Sequence, residues 1–209
     1  MALPLAYLIV RAFGASSEAW ELLFRVRTAQ ILGRSALLVV TVTGASLAIA
    51  TPLAWLTTRT DMPFRRTLSV LTALPLVVPS YVGAFLAISA LGPKGLLQQM
   101  LSPIGVESLP EIYGLPGAAI TLTLLSYPYT LLTVRAAFRN LDPSLDESAR
   151  LLGHGSWSAF FRMTVPQLKP AMAAGSLLVA LYTLSDFGAV SLMRYETFTW
   201  AIFQQYQSA

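Results

Sequence analysis

The chain has 209 residues, of which 55% are hydrophobic and 11% are charged, and its net charge is +4. Soluble domains carry about 25% charged residues, so this composition excludes a disordered chain or a coiled coil and argues against a water-soluble globule, while the charge excess is too small for a nucleic-acid groove. The absence of cysteine excludes a disulfide framework and thiolate metal sites, and the single histidine, His154, excludes any two-histidine metal site.

Four long runs that are almost free of charge predict helices that cross a membrane. They are Ser35–Thr58, Thr67–Pro93, Ile112–Val134 and, interrupted only by Asp186, Pro170–Met193. Each run exceeds the length of about 20 residues that a helix needs to cross a hydrocarbon core. The apolar opening Ala2–Val10 is too short for a span and lacks the basic start of a signal peptide, so we interpret it as the end of a further helix. The sequence therefore predicts an all-α integral membrane bundle of about five transmembrane helices, four of them complete, in one domain over residues 1–209.

Prolines and small residues inside these runs predict how the helices pack. Four prolines each remove a backbone donor and are expected to kink their helices: Pro52, Pro75, Pro79 and Pro128. Small residues at Gly44/Ala48, Gly83/Ala87 and around Gly175 are expected to allow close helix approach. Ordinary bundle packing and kinks that serve a moving pathway are both compatible with this pattern.

The basic residues in the connections predict the orientation in the membrane. Arg59, Arg65 and Arg66 follow the first run, and five more basic residues lie between Arg135 and Lys169. If every run crosses once, these eight residues lie on one side and six lie on the other. This excess predicts a cytoplasmic location for the connection 141–169. Arg65 and Arg66, beside Pro63, are interpreted as an anchor for lipid headgroups.

Residues 141–169 form the one long polar connection. Helix start and stop signals predict two short helices in it, Pro143–Leu152 and Trp157–Val165, which are separated by a turn at Gly153 and ended by Pro166. Apolar residues at i, i+4 and i+7 give the first of them one apolar face. Two interpretations follow, namely a helix pair lying on the bilayer and a docking surface for a cytoplasmic partner.

The same connection carries a spaced pattern of residues. Glu147-Ser148-Ala149 is followed by Gly153, six residues after the glutamate, and then by Met163-Thr164-Val165-Pro166. This pattern resembles the EAA loop of binding-protein-dependent ABC transporter permeases, the type I importers with the MetI-like fold. Glu147, Ala149, Gly153 and Pro166 match that loop in identity and spacing, and Ser148 replaces an alanine. The resemblance implies that the loop is a coupling helix in a cleft of a separate ATP-binding subunit, which Glu147 contacts.

Two further segments resemble the amino-terminal half of iron(III)-type permeases. They are Leu74–Val82, which contains L-P-L-V-V-P-S-Y-V, and Leu184–Thr199, which contains S-D-F-G. The resemblance implies ferric iron as the cargo, and ferric iron favours hard oxygen ligands. Asp186, Tyr81 and Tyr182 are therefore candidates for the pathway or its gate, and further phenolic oxygens are available from Tyr127 and Tyr129. For Asp186 two other roles remain open, a cap on the backbone near Gly188 and an ion pair with a basic residue. No metal site is assigned.

The resemblance also implies the partners of the chain. These are a dimer of ATP-binding subunits, a substrate-binding protein, a second permease half and the lipid of a prokaryotic inner membrane, with no nucleic acid among them. The two lysines precede glycine and proline, so the chain has no phosphate-binding loop, and ATP with its magnesium is expected on the partner ATPase. The sequence therefore predicts a transporter subunit that binds no cofactor itself and is not an enzyme. Because the family half has six spans, the chain is expected to be truncated at both ends.

Three alternatives to an iron permease remain open at this stage. The first is a permease of the same class for thiamine, phosphonate or polyamine. The second is an intramembrane enzyme that uses Asp186 as its acid or base, although no second titratable partner is found in the spans. The third is a purely structural membrane subunit, which leaves the pattern between Glu147 and Pro166 unexplained.

Overall fold

The structure is a computed structural model, and it describes Tyr7 and residues 25–93, 95–104, 110–141 and 160–207. Within these residues every regular element is helical, which confirms the predicted all-α class. The helices are α1 Val26–Arg59, α2 Arg65–Leu71, α3 Ser80–Leu91, α4 Leu96–Leu101, α5 Leu115–Asn140, α6 Val165–Ser185, α7 Gly188–Leu192 and α8 Phe198–Gln207. Short 3₁₀ turns lie at Leu74–Val77 and Ser102–Ile104, and a π turn at Phe160–Thr164 leads into α6.

Four helical stretches are long and apolar enough to cross a membrane. They are α1, the stretch Ser80–Leu101 that contains α3 and α4, α5 and α6. At 1.5 Å per residue, α1 is about 51 Å long, α5 about 39 Å and α6 about 32 Å, so each equals or exceeds the thickness of a hydrocarbon core. The number of complete spans predicted from the uncharged runs is therefore confirmed. Helix α1 starts at Val26 rather than at Ser35, because a helix can continue beyond the hydrocarbon, where charged side chains reach water.

The predicted span Thr67–Pro93 is wrong as a single helix. The chain leaves α2 at Leu71, forms the 3₁₀ turn Leu74–Val77 and begins α3 only at Ser80. Pro75 begins the 3₁₀ turn and Pro79 directly precedes α3, because proline has no N–H to continue a helix but fits its start. The apolar stretch is consequently shifted along the chain to Ser80–Leu101. Pro52 and Pro128 lie inside α1 and α5, as predicted.

The last predicted run is divided as well. Helix α6 ends at Ser185, and Asp186 takes an extended conformation with φ −68° and ψ 133° before α7 begins. The helix predicted to end at Pro166 is also corrected, because the described part of Trp157–Val165 continues through the π turn into α6. Pro166 lies in the first turn of α6, where its missing N–H costs no hydrogen bond. The predicted helices Pro143–Leu152 and, apart from Tyr7, Ala2–Val10 lie outside the described residues.

Helix α5 is the centre of the bundle. In its most apolar window 72% of the residues are buried, against 18–22% in the other three candidate spans. A Cβ atom on Gly175 of α6 would lie 2.7 Å from the Cα atom of Thr130, and one on Gly83 of α3 would lie 2.7 Å from Leu125. These contacts confirm the close approaches predicted at Gly175 and Gly83. Gly44 makes no such contact within the described residues, because a Cβ atom there has no neighbour within 4 Å.

The two ends of the bundle differ in their charges, and we name them accordingly. At the arginine-rich end, the end of α1, helix α2 and the end of α5 meet, and Arg59 donates a hydrogen bond to the carbonyl oxygen of Leu141 at 3.0 Å. At the aspartate end, the start of α5 meets α7, and the N–H of Gly114 donates to the carbonyl oxygen of Met193 at 2.7 Å. The first of these contacts confirms that the connections after α1 and after α5 lie on the same side.

Candidate functional site

Asp186 caps helix α7 at the aspartate end. Its Oδ1 accepts hydrogen bonds from the backbone N–H groups of Ala189 at 2.9 Å and Val190 at 3.4 Å, and the hydroxyl of Thr199 donates to its carbonyl oxygen at 2.7 Å. The residue is only 7% exposed, and among the described residues no basic side chain forms an ion pair with it. Backbone N–H groups therefore stabilise its charge, which is the capping arrangement that the sequence left open.

Gly188 brings the two segments with the iron-type resemblance into contact. A Cβ atom on Gly188 would lie 2.8 Å from the Oγ of Ser80 and 3.0 Å from the backbone nitrogen of Tyr81. A glycine is therefore required for α7 to approach the start of α3 this closely. The Tyr81 side chain is 58% exposed and lies beside this contact.

Tyr182 connects Asp186 to the central helix. Its ring centroid lies 5.6 Å from that of Tyr129 on α5, its phenol interacts with the Ser80 side chain, and it lies close enough to Asp186 to experience its charge. We call Ser80, Tyr129, Tyr182 and Asp186 the tyrosine cluster. Tyr127, the remaining phenol considered above, lies elsewhere, because it donates to the carbonyl oxygen of Thr72 at 2.8 Å near the arginine-rich end.

The segment that follows α7 fastens the tyrosine cluster to α1. Arg34 and Glu196 form an ion pair at 2.7 Å, the phenol of Tyr195 donates to the carbonyl oxygen of Arg34 at 3.1 Å, and the N–H of Phe198 donates to Ser35 at 3.0 Å. Burial raises the pKa of the Tyr195 phenol, against a smaller lowering by Arg34, so the phenol is neutral at physiological pH and keeps its donor proton. The sequence does not reveal these contacts because the partners are 161 to 163 residues apart.

Arg135 holds the arginine-rich end together. Its guanidinium donates to the carbonyl oxygen of Ser69 at 3.1 Å and to the hydroxyl of Thr72 at 3.2 Å, and the residue is buried. It thereby connects α5 to the chain that leaves α2. Sequence reasoning counted Arg135 only as a loop charge, although its place directly after an uncharged run could have indicated a buried position.

Of the five residues predicted to couple to an ATPase, only Pro166 lies within the described residues; Glu147, Ser148, Ala149 and Gly153 do not. Pro166 stands in the first turn of α6, and Tyr182 stands near the end of the same helix. The two residues are about 24 Å apart along the axis at 1.5 Å per residue. One uninterrupted helix therefore runs from the end of the coupling pattern to the tyrosine cluster.

The oxygen atoms at the aspartate end are the available hard ligands in the described spans. Within the described part of the chain, no group of three or more histidine, aspartate and glutamate side chains is close enough to hold a metal ion. The carboxylate of Asp186 and the phenol of Tyr182 are neighbours, but Asp186 already accepts two backbone hydrogen bonds. The arrangement is suited to a brief contact with a cation rather than to tight binding.

Comparison with known proteins identifies the family. The chain is 36% identical over 208 residues to the Fe(3+)-transport system permease protein FbpB 2 of Haemophilus influenzae, covering 99% of this chain and 38% of that protein. It is 30% identical over 136 residues to the molybdenum transport system permease protein ModB of Escherichia coli, covering 65% of this chain and 58% of ModB. The chain thus spans less than two thirds of the length of either relative.

The fold also matches a solved structure. A chain of the bacterial alginate ABC transporter, crystallised with an alginate pentasaccharide-bound periplasmic protein, superposes with a TM-score of 0.72 at 16% identity and covers 92% of this chain and 72% of that one. Residues 40–209 match the family described as binding-protein-dependent transport system inner membrane component. The four candidate spans agree with a multi-pass protein of the inner membrane. The chain belongs to this family of inner-membrane transport components.

Proposed function

We propose that the chain is part of the permease of an ABC importer that moves ferric iron. In this proposal a binding protein outside the membrane delivers the iron, a separate pair of ATP-binding subunits supplies the energy, and a second permease half completes the pathway. The observation that carries the proposal is the continuity of α6, which begins at Pro166 in the coupling pattern and ends beside the tyrosine cluster. ATP and magnesium belong to the partner subunits, and no catalytic step is assigned to Asp186.

Helix α6 is suited to transmit motion between the two ends. Closure of the ATP-binding subunits would move the loop that contains Glu147 and Gly153, and Pro166 would pass this movement to α6. Pro170 has no N–H for the carbonyl oxygen of residue 166, so the first turns of α6 can bend more easily than the rest. A tilt of α6 would displace Tyr182 from Tyr129 at the other end and open or close the tyrosine cluster.

Ferric iron fits the groups at the aspartate end better than an oxyanion does. Phenol and carboxylate oxygens are hard ligands for a small, highly charged cation. An oxyanion such as molybdate would instead require free N–H donors or basic side chains. The N–H groups at the start of α7 are already bound to Asp186. The similarity to ModB nevertheless makes molybdate the second candidate cargo, ahead of thiamine, phosphonate or polyamine.

The coupling role is tested with Glu147→Arg and Gly153→Trp in the full transporter. We expect each variant to lose copurification with the ATP-binding subunit, because the first reverses a charge at the contact and the second blocks the turn between the two short helices. Glu111→Arg is the matched control, since Glu111 is an exposed glutamate at the aspartate end. Retention of the ATP-binding subunit by both loop variants would refute the coupling role of this loop.

The cargo is tested by uptake of radiolabelled ferric iron and radiolabelled molybdate into cells that express the full transporter. Competition by unlabelled ferric iron but not by molybdate, thiamine, phosphonate or polyamine supports the proposal, and uptake of molybdate alone refutes it. Asp186→Asn separates the two roles of Asp186, because an asparagine oxygen can still cap α7 but carries no charge. Loss of iron uptake at unchanged protein level indicates contact with the cargo, whereas unchanged uptake assigns Asp186 to capping alone.

A further inference from the structure

A cavity of about 280 Å³ lies at the arginine-rich end, between three helices. Its lining is formed by hydroxyl and guanidinium groups from the end of α1, from α2 and from the end of α5: Thr57, Thr58, Arg65, Arg66, Ser69 and Arg139. The residues come from parts of the chain that are up to 82 positions apart, so the cavity is a product of the fold rather than of one charged sequence. The two arginines that the sequence indicated as a headgroup anchor, Arg65 and Arg66, are joined there by a third from a different helix.

The donors that point to a ligand in this cavity are the guanidinium groups. The hydroxyl of Thr57 donates to Leu53 at 2.7 Å and that of Thr58 donates to Ala54 at 2.5 Å, so both protons are used within α1. Arg65 has one acidic neighbour, Asp61 at 3.5 Å, whose side chain is fully exposed. In the described ranges no carboxylate forms an ion pair with Arg66 or Arg139.

Positive charge behind the cavity increases its preference for an anion. The buried guanidinium of Arg135 lies one turn before Arg139 on α5 and donates to the carbonyl oxygen of Ser69, a residue that lines the cavity. Arginine forks bind phosphate oxygens with two parallel hydrogen bonds, and three of them converging on one cavity suit a phosphate group. A bound phosphate would also reduce the mutual repulsion of these cations.

The surroundings of the cavity favour a phosphate that carries acyl chains. Phe64 stands directly before Arg65, in the left-handed conformation with φ 61°, and its side chain is 80% exposed. Exposed apolar side chains then follow along α2 and the 3₁₀ turn, namely Val70, Leu71, Leu74 and Val77. A phosphate ion from water has no use for this apolar surface, whereas a phospholipid covers it with its chains while its headgroup occupies the cavity.

We propose that this cavity is a binding site for the headgroup phosphate of an anionic phospholipid, with Arg65, Arg66 and Arg139 as its ligands. The lipid bridges α1, α2 and α5 and thereby holds α2 on the bundle. A site of this kind makes the arginine-rich end sensitive to the lipid composition of the inner leaflet. It is independent of the cargo and of the coupling role proposed above.

The test measures lipid retention by the full chain in phosphatidylcholine nanodiscs to which phosphatidylglycerol is added. The variant Arg66→Gln/Arg139→Gln removes two ligands, and Arg25→Gln/Arg27→Gln removes the same charge from exposed arginines near the start of α1. We expect the first pair to lower the affinity for phosphatidylglycerol about 30-fold, on the basis of about 1 kcal/mol for each basic residue at an anionic surface. The control pair is expected to retain the wild-type affinity.

Two further readings decide the source of the phosphate and the integrity of the variants. Inorganic phosphate at millimolar concentration is added as a competitor, and continued retention of phosphatidylglycerol supports a lipid site, whereas full displacement overturns it in favour of a free phosphate. The thermal midpoint should rise with phosphatidylglycerol in the wild-type chain and in the control pair but not in Arg66→Gln/Arg139→Gln. Equal lipid retention by both pairs of variants would overturn the proposal.

Discussion

The two ends of the bundle treat their charges in opposite ways. At the aspartate end, the single buried carboxylate of the described residues is capped by two backbone N–H groups, and Arg34 is paired with Glu196. At the arginine-rich end, Arg135 is buried on neutral acceptors and the arginines beside it surround an open cavity. The aspartate end is therefore satisfied by the chain itself, whereas the arginine-rich end has binding capacity left for other molecules.

This difference follows from where the chain can supply partners. Residues 186–199 fold back on themselves and on α1, so a short segment provides donors for Asp186 and an acid for Arg34. At the other end, Asp61 is the one acidic side chain in the described residues that forms an ion pair with an arginine of the cavity. In a transport component, a self-contained end suits a gate that must close reproducibly, and an open basic end suits contacts with lipid or with a partner subunit.

The largest predicted effect concerns the helix that joins the two ends. Gly175→Leu would force a side chain against the Cα atom of Thr130, which is backbone and cannot move aside. We expect α6 to separate from α5 and the free energy of unfolding to fall by about 3 kcal/mol or more. The measurement is the thermal midpoint of the purified chain in mild detergent.

Gly44→Leu is the control for that substitution. It introduces the same side chain into α1, where a Cβ atom has no neighbour within 4 Å. Both changes increase helix propensity by a similar amount, so the contrast between them isolates packing. A Gly175→Leu protein as stable as Gly44→Leu would contradict the close contact of α6 with α5.

The second prediction addresses the buried cation at the arginine-rich end. Arg135→Met removes the hydrogen bonds to Ser69 and Thr72 and is expected to lower the free energy of unfolding by about 2 kcal/mol, because hydrogen bonds to charged groups are strong and only part of their energy is offset by the desolvation that methionine avoids. Arg139→Met, one turn later on an exposed position, should have little effect in detergent without anionic lipid. Equal thermal midpoints for the two variants would remove Arg135 from its structural role.

The sequence predicted the class and the number of spans well but placed one of them incorrectly. Uncharged runs locate hydrophobic segments because lipid exclusion of charge is a strong and local rule. They do not locate breaks, and Pro75 and Pro79 divided a run that contained no charge. Lys94 ended the predicted run even though the apolar stretch that contains α3 and α4 continues past it to Leu101.

The residues of the candidate site were predicted unevenly for a similar reason. Asp186, Tyr81 and Tyr182 could be selected because each stands within a recognisable local pattern or span. Tyr129, Arg139 and Ser69 could not be selected, because their importance depends on contacts between helices that are distant in sequence. A local motif indicates which residues to consider, and the packing of α5 decides which of them meet.

The third prediction concerns the cap at the aspartate end. Asp186→Ala leaves the N–H groups of Ala189 and Val190 without their acceptor and is expected to cost about 1 kcal/mol. Asp186→Asn, which can still accept these bonds, should cost less than half of that. A smaller loss for Asp186→Ala than for Arg135→Met supports the comparison of the two ends, whereas the reverse order would mean that the aspartate end carries more of the stability.

The smallest effect is expected at the ion pair between Arg34 and Glu196. Both side chains are largely exposed, at 49% and 40%, so solvent screens their attraction even though the two atoms are only 2.7 Å apart. A double-mutant cycle with Arg34→Met and Glu196→Gln should give a coupling energy below about 0.5 kcal/mol that decreases further with added salt. The segment 194–199 is then fastened to α1 mainly by the neutral hydrogen bonds of Tyr195 and Phe198. A coupling energy above about 1 kcal/mol that resists salt would show instead that this end, like the other, depends on charge.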